Sequence, residues 1–390
     1  MSQLTPALAA AAATGVYGLR TTDMAGLAAR GRTLGIETHF DITSNTPISG
    51  RAGLAMVRTS SGFGYLARGK ESGNHPGDLL LVMRGTHKTS VHDWLTNLTI
   101  AMEVGPGGAL VHAGFNRLRK TMQDQIDRAL EAAGPFNRLH VVGHSLGGAL
   151  ATLSGADMVA RGHRRVSIYT FGAPRVGNYA FVDWLERRIG AQHIRRVFHP
   201  ADPVPMIPIF PFFHAPKGEA FALPNTDGGI MNPSYHGMDD NYVPGVGTMD
   251  WSQLRVVGVE PDSGIKIQRW LAAGGVTSGF VMGSARLLGL IGDALAWILK
   301  RALQVVGGSI LTVGATLVDR IAAVLAAGVE ASIELSAYVA ALVRAIFRFL
   351  GRTVTNARDL TRAFLQWVLD LLFRSIITVA RHALDRLDDL

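Results

Sequence analysis

The amino-acid sequence predicts an α/β fold with a mostly parallel central sheet, followed by an α-helical C-terminal extension. Three observations carry this expectation. Short apolar β-type runs alternate with helical stretches from Leu79 to His199, the order of strands joined by crossover helices. The run Leu79-Leu80-Leu81-Val82-Met83 is continuously apolar, as befits a central strand buried on both faces. Beyond about Asp262 the composition shifts to Ala, Leu, Val and Gly, charges become sparse and proline disappears. The domain boundary is therefore placed between residues 260 and 261.

In chain order, Leu4 to Thr14 and Thr22 to Arg32 read as two helices, the second opened by Thr22 or Asp23 as a cap. Gly53 to Arg58 and Phe63 to Arg68 read as a hairpin at the sheet edge, joined by Thr-Ser-Ser-Gly. Leu79 to Met83 is the central strand and runs out into Arg84-Gly85-Thr86. Phe115 to Ala133 is a helix with charges along one side, stopped by Gly134-Pro135. Leu139 to Gly143 and Val166 to Phe171 are strands separated by the helix Leu146 to Arg161. A further strand, Ile194 to His199, follows the helix Tyr179 to Ile189. Parallel sheets present functional residues at the carboxyl ends of their strands. Thr86, Ser145 and Asp202 all stand at such ends.

Gly143-His144-Ser145-Leu146-Gly147 matches G-x-S-x-G between a strand and a helix, the setting in which a serine is held on a tight, strained turn as a nucleophile. A serine hydroxyl needs a histidine to take its proton and a carboxylate to orient that histidine. In α/β-hydrolase-like chains these follow in the order Ser, Asp or Glu, His. Asp202 is the acidic candidate past a strand end, in a proline-stiffened loop, whereas Asp183 and Glu186 belong to a helix face and Asp227 to a Gly-rich loop. The downstream histidines are His214, His236 and His382. His236, in a loop with room to fold back over the sheet end, is the base favoured by this reading. His144 is too close to Ser145 to act on it and is expected to hydrogen-bond or pack beside it. The oxyanion donors expected are the backbone N–H groups of Leu146 and Thr86, with the Thr86 hydroxyl as a further donor.

Composition narrows the partners. The chain of 390 residues has only 17% charged residues against about 25% in typical soluble domains, and its mean hydropathy is +0.21. Its formal charge is +8 and its pI about 10.0, yet no Lys/Arg run of five or more occurs. An anionic lipid surface is thus expected rather than nucleic acid. With no cysteine, disulfides, thiolate catalysis and cysteine metal sites are excluded. The alanine-rich run within Met1 to Gly18 has the apolar character of a signal peptide, but no basic residue precedes it. A helix packed on the domain is the preferred reading, with export lacking a cleaved signal left open.

Taken together, GHSLGGALA from Gly143, Met83-Arg84-Gly85-Thr86, Asp93-Trp94-Leu95-Thr96-Asn97-Leu98, Val111-His112-Ala113-Gly114-Phe115, Thr170-Phe171-Gly172-Ala173-Pro174-Arg175-Val176-Gly177-Asn178 and Asp202-Pro203-Val204-Pro205 resemble the class 3 (fungal-type) lipases. The resemblance covers roughly Leu4 to Tyr242. It implies an α/β-hydrolase fold and hydrolysis of carboxylic esters of acyl lipids, triacylglycerol or phospholipid, through an acyl-enzyme without metal or cofactor. It also implies that His87 to about Ile100 is an amphipathic lid. The chain departs from the family in lacking the cysteines of secreted fungal members and in carrying the extension.

In the extension, Trp270 to Ala285 and Ala302 to Val318 are free of charge but short for membrane spans. Asn356 to Asp359 reads as a helix start with Asp359 completing a capping box. Phe364, Trp367, Val368, Leu371, Leu372 and Ile376 form an apolar face opposite Asp370, Arg374 and Arg381. Three readings stay open: helices lying in a lipid interface, a self-contained bundle or oligomerisation domain, and true spans. The expected partners are a lipid ester substrate and a membrane or lipid–water interface, with self-association through the extension open. Membrane association or export is expected, from a bacterial source. The alternative function is a membrane-acting toxin or anchor, such as a phospholipase effector delivered between bacteria.

Overall fold

Alternation along Leu79–Met83 turns Leu79, Leu81 and Met83 toward one apolar layer and Leu80 and Val82 toward another. A run without polar residues is what a strand buried on both faces requires. The computed structural model of the protein describes residues 3–19, 24–42, 47–52, 59–85, 102–224, 229–258, 263–276, 282–306, 316–353 and 359–385. Its main sheet has nine strands: β1 (Phe40–Asp41), β2 (Pro47–Ala52), β3 (Thr59–Gly69), β4 (Leu79–Met83), β7 (Leu139–His144), β8 (Val166–Phe171), β9 (Ile194–Phe198), β10 (Ala220–Ala222) and β11 (Val256–Val257). Strands β5 (Met102–Val104) and β6 (Leu110–His112) form a separate ribbon. The order is β1-β3-β4-β7-β8-β9-β10-β11, with β2 also paired to β3. From β4 through β10 neighbours run parallel, and the flanking pairs are antiparallel.

Helices cover both faces. On one side lie α1 (Pro6–Gly15) and α2 (Met24–Thr33); on the other lie α3 (Ala113–Ala133), α4 (Leu146–Ala160) and α5 (Tyr179–Ile189). The alanine-rich N-terminal run is thus a core helix, with Ala9, Ala10, Ala12 and Ala13 fully buried. Its start is set by Thr5, whose side chain accepts the Leu8 N–H, and by Pro6 in the first turn. Helix α3 stops at Gly134, which adopts a φ of 68° that a side chain would disfavour. Of the expected hairpin, Phe63 to Arg68 falls within β3, which pairs with Pro47–Ala52. The other half, Gly53 to Arg58, lies outside the described residues.

The extension comprises α7 (Ser263–Ala272), α8 (Ala285–Val306), α9 (Leu317–Ala331), α10 (Ile333–Phe349) and α11 (Arg362–Asp385), after the one-turn helix α6 (Val243–Val246). Its buried residues join the same apolar cluster as Phe115, Leu146 and Val204, so the helices share a core with the sheet layer. The Met231 N–H donates to Gly283 O at 3.0 Å and the Ala285 N–H to Gly229 O at 2.8 Å. Two expectations are corrected. Helix α11 starts after Thr361, whose hydroxyl caps the Phe364 N–H at 3.3 Å, so Asp359 precedes the helix. Its buried face runs through Leu365, Val368, Leu369, Leu372 and Ile376, leaving Trp367 47% exposed. The helix packs at once on α9 and on the turn Pro233–His236, and this seam lies on the side opposite Asp370, Arg374 and Arg381. Among the described residues α11 is the one helix long and apolar enough to cross a bilayer.

Candidate active site

Small residues decide how tightly β7 can turn into α4. A Cβ on Gly143 would overlap the backbone of Gly147, and one on Gly147 would overlap the backbone of β4 at Met83. With both positions glycine the turn closes, and Ser145 is held at φ 58° and ψ −133°. It is the one non-glycine residue at positive φ among the described residues, a strained geometry retained because the packing around it leaves no alternative.

Three parts of the chain converge there. His236 ends the turn Pro233–His236, which Asn232 caps by accepting the Ser234 N–H. Its Nε2 lies 2.8 Å from Ser145 Oγ and its Nδ1 2.8 Å from Asp202 Oδ2. Asp202 follows β9, and its other oxygen accepts the Val204 N–H at 2.9 Å in an Asx turn. The carboxylate accepts a third hydrogen bond from the Tyr242 hydroxyl at 2.6 Å. The Nδ1–H of His236 donates to the carboxylate, so the Nε2 lone pair faces the serine. Ser145 is 1% exposed and Asp202 and His236 are fully buried.

His144 holds the turn Pro233–His236. Its Nε2 lies 2.9 Å from the His236 carbonyl, which can only accept, so Nε2 carries the proton. Nδ1 is then an acceptor for the Tyr17 hydroxyl at 2.7 Å. Burial, and then the adjacent His236, push the His144 pKa well below the usual imidazole value, which keeps the ring neutral in this role. Burial and the Asp202 charge push the Tyr242 hydroxyl well above the usual phenol range, so it stays a donor. The next turn is tied to the N-terminal helices, because Asp239 accepts from Thr14 at 2.5 Å and pairs with Arg30.

Of the sequence candidates, Ser145, Asp202 and His236 are brought together. His214 is elsewhere, with Nε2 donating to Pro205 O at 2.8 Å, and His382 is exposed on α11. Leu146 is the first residue of α4, where no carbonyl within the helix can reach its N–H. Thr86 and the lid stretch His87 to Ile100 lie outside the described residues. Gly85, just before Thr86, is close to the elbow: a Cβ there would lie 3.4 Å from Ser145 Cβ. Sequence reasoning missed Tyr242 and Tyr17. Tyr242 follows His236 by six residues, but nothing local marks it as the partner of a carboxylate 40 positions upstream.

Residues 80–212 match the family model described as lipase (class 3). Over 187 residues the chain is 32% identical to secreted mono- and diacylglycerol lipase 1 of Fusarium solani, covering 46% of this chain and 53% of that protein. It is 37% identical over 138 residues to secreted mono- and diacylglycerol lipase A of Penicillium cyclopium, with 34% and 43% covered. It is 31% identical over 181 residues to the chloroplastic phospholipase A(1) DAD1 of Arabidopsis thaliana, with 39% of each covered. The chain spans about half the length of the fungal relatives it matches. These three relatives are fungal and plant proteins and lend no support to a bacterial source.

Proposed function

We propose that this chain, whose residues 80–212 match the family model described as lipase (class 3), is a serine hydrolase cleaving carboxylic ester bonds of acyl lipids. The observation that carries the reading is the continuous chain Ser145–His236–Asp202, with both links at 2.8 Å, on a strained elbow. Ser145 Oγ attacks the ester carbonyl while His236 Nε2 takes its proton, and Asp202 holds the imidazole and stabilises its charged form. The oxyanion is received by the backbone N–H groups of Leu146 and Thr86. His236 then protonates the leaving alcohol, and water activated by the same imidazole releases the fatty acid.

Acylglycerols and phospholipids are the proposed substrates, since two of the relatives named above are mono- and diacylglycerol lipases and the third a phospholipase A(1). The organisation proposed is a hydrolase over residues 1–260 with a docked helical extension over 261–390. The exposed apolar side chains Val305, Ile333 and Trp367, with the positive net charge, favour contact with an anionic lipid–water interface. Export is proposed from the two fungal relatives, both named as secreted. The toxin or anchor reading is less favoured, because these relatives are named as enzymes and His236 lies 2.8 Å from both Ser145 and Asp202.

Ser145→Ala should lower hydrolysis of tributyrin, a long-chain triacylglycerol and phosphatidylcholine by about 10⁴-fold or more with the thermal midpoint unchanged. Activity within about tenfold of the native chain would overturn the mechanism. If that same full-length variant still permeabilised vesicles, the toxin reading would replace it. Product analysis on the three native substrates assigns the ester position.

A further inference from the structure

The opposite end of the strands that carry the elbow holds a second polar cluster. His75 and Asp78 lie on the turn leading into β4, and His140 is the second residue of β7. Ser145 follows the far end of β7, about 16 Å away at the usual rise per strand residue. The two groups are thus separate sites.

His75, Asp78 and His140 are 4%, 2% and 0% exposed. One ligating atom from each lies within 4.8 Å of the others, and this is the one such grouping among the described residues. His140 Nε2 is 3.0 Å and His75 Nδ1 3.5 Å from Asp78 Oδ2. A tetrahedral zinc ion bound at about 2.0–2.1 Å separates its ligand atoms by about 3.4 Å, close to the 3.0 and 3.5 Å of the two pairs made with Asp78. One atom is otherwise unexplained: Asp78 Oδ1 is buried with no hydrogen-bond partner. An orphan of this kind is costly in a core, and a cation held by both carboxylate oxygens would satisfy it.

We propose that His75, Asp78 and His140 form a structural metal site for a zinc-like divalent ion. Two imidazoles and one carboxylate suit zinc better than calcium or magnesium, which prefer all-oxygen shells. The surrounding bonds fit the role. With Nε2 on the metal, His140 Nδ1 carries the proton and donates to the Tyr169 hydroxyl oxygen at 3.2 Å. That oxygen also accepts the Leu4 N–H at 3.0 Å. Such an outer contact fixes the tautomer and orientation of a ligating histidine. The ion would tie together the starts of β4 and β7 and, through Tyr169, the N-terminal segment.

The test uses the full chain, stripped with a chelator and titrated with zinc. About one equivalent should bind saturably and raise the thermal midpoint, as a ligand of the folded state does. Cobalt in place of zinc should give the visible absorption of a tetrahedral site. His75→Ala should lose both effects while keeping a metal-free midpoint close to that of the parent. Asp78→Asn serves as the second variant should His75→Ala fail to fold. No zinc-dependent shift in the parent, or an undiminished shift in a folded variant, would overturn the proposal and leave His140 and Asp78 as a buried hydrogen-bonded pair.

Discussion

Tyr242 is the residue whose removal probes the proposed site without touching the reacting atoms. Tyr242→Phe keeps a fully buried ring, packed near His144 and Phe171 at centroid separations of 5.7 and 6.2 Å, and deletes only the hydroxyl. That hydroxyl is one of three donors to Asp202, and it shares Oδ2 with His236 Nδ1. A hydrogen bond to a charged group is worth about 1.5–3 kcal/mol. If all of it acted on the transition state, the rate would fall by about 10- to 150-fold at 1.36 kcal/mol per decade. Two donors remain, and the carboxylate is also held in the resting enzyme. The expected result is therefore near the low end, about a tenfold loss in kcat with KM within about twofold. The His199 N–H, which donates to the Tyr242 oxygen at 3.2 Å, loses its acceptor, so the fold should also weaken by about 1–3 kcal/mol. Because burial keeps the phenol protonated, the kcat loss should be the same from about pH 6 to pH 9. Hydrolysis of p-nitrophenyl butyrate gives kcat and KM, and denaturant melts give stability. A variant that is destabilised yet keeps kcat within about twofold would refute the positioning role.

Acid should weaken the fold through the neutral histidines His144 and His214. Burial lowers the pKa of His144, with His236 adding to the effect, and lowers that of His214, with Arg196 and Arg175 adding to it. Below about pH 6.5 the unfolded chain therefore binds protons that the folded chain refuses, and stability falls as pH drops. The slope is about 1.4 kcal/mol per pH unit for each such group, and denaturant melts showing constant stability from about pH 7 to pH 5 would contradict it. Leu372→Ala, at a fully buried position of α11, should cost about 2–5 kcal/mol. It should also lower kcat, since α11 packs on the turn that ends at His236. Unchanged kcat in a clearly destabilised protein would separate the extension from the site.

Much of the arrangement is legible where it rests on local sequence. Apolar runs with turn residues at their ends mark β4, β7 and β8, because a strand buried on both faces excludes polar groups wherever it lies. Gly143, Ser145 and Gly147 identify the elbow, since the collision that a Cβ on Gly143 would make with the Gly147 backbone is determined within five residues. Asp202 and His236 are readable as candidates from their order after the serine. The neighbours of α11 are not readable in this way. Its charges indicate the exposed face, but that the opposite face meets α9 and the Pro233–His236 turn at the same time is decided by the fold.

The sequence by itself thus determines the strand–turn–helix framework and the residue types at its strand ends, because periodicity and backbone crowding act over a few residues. Only the tertiary structure decides the partners separated by long stretches of chain. His144 holds the carbonyl of His236, Tyr242 holds the carboxylate of Asp202, and the extension shares its core with the sheet layer. Likewise His75 and Asp78 gain His140 only when β4 and β7 pair in parallel. Each of these depends on distance and burial in three dimensions, and a buried polar group acquires its function from whichever distant group satisfies it.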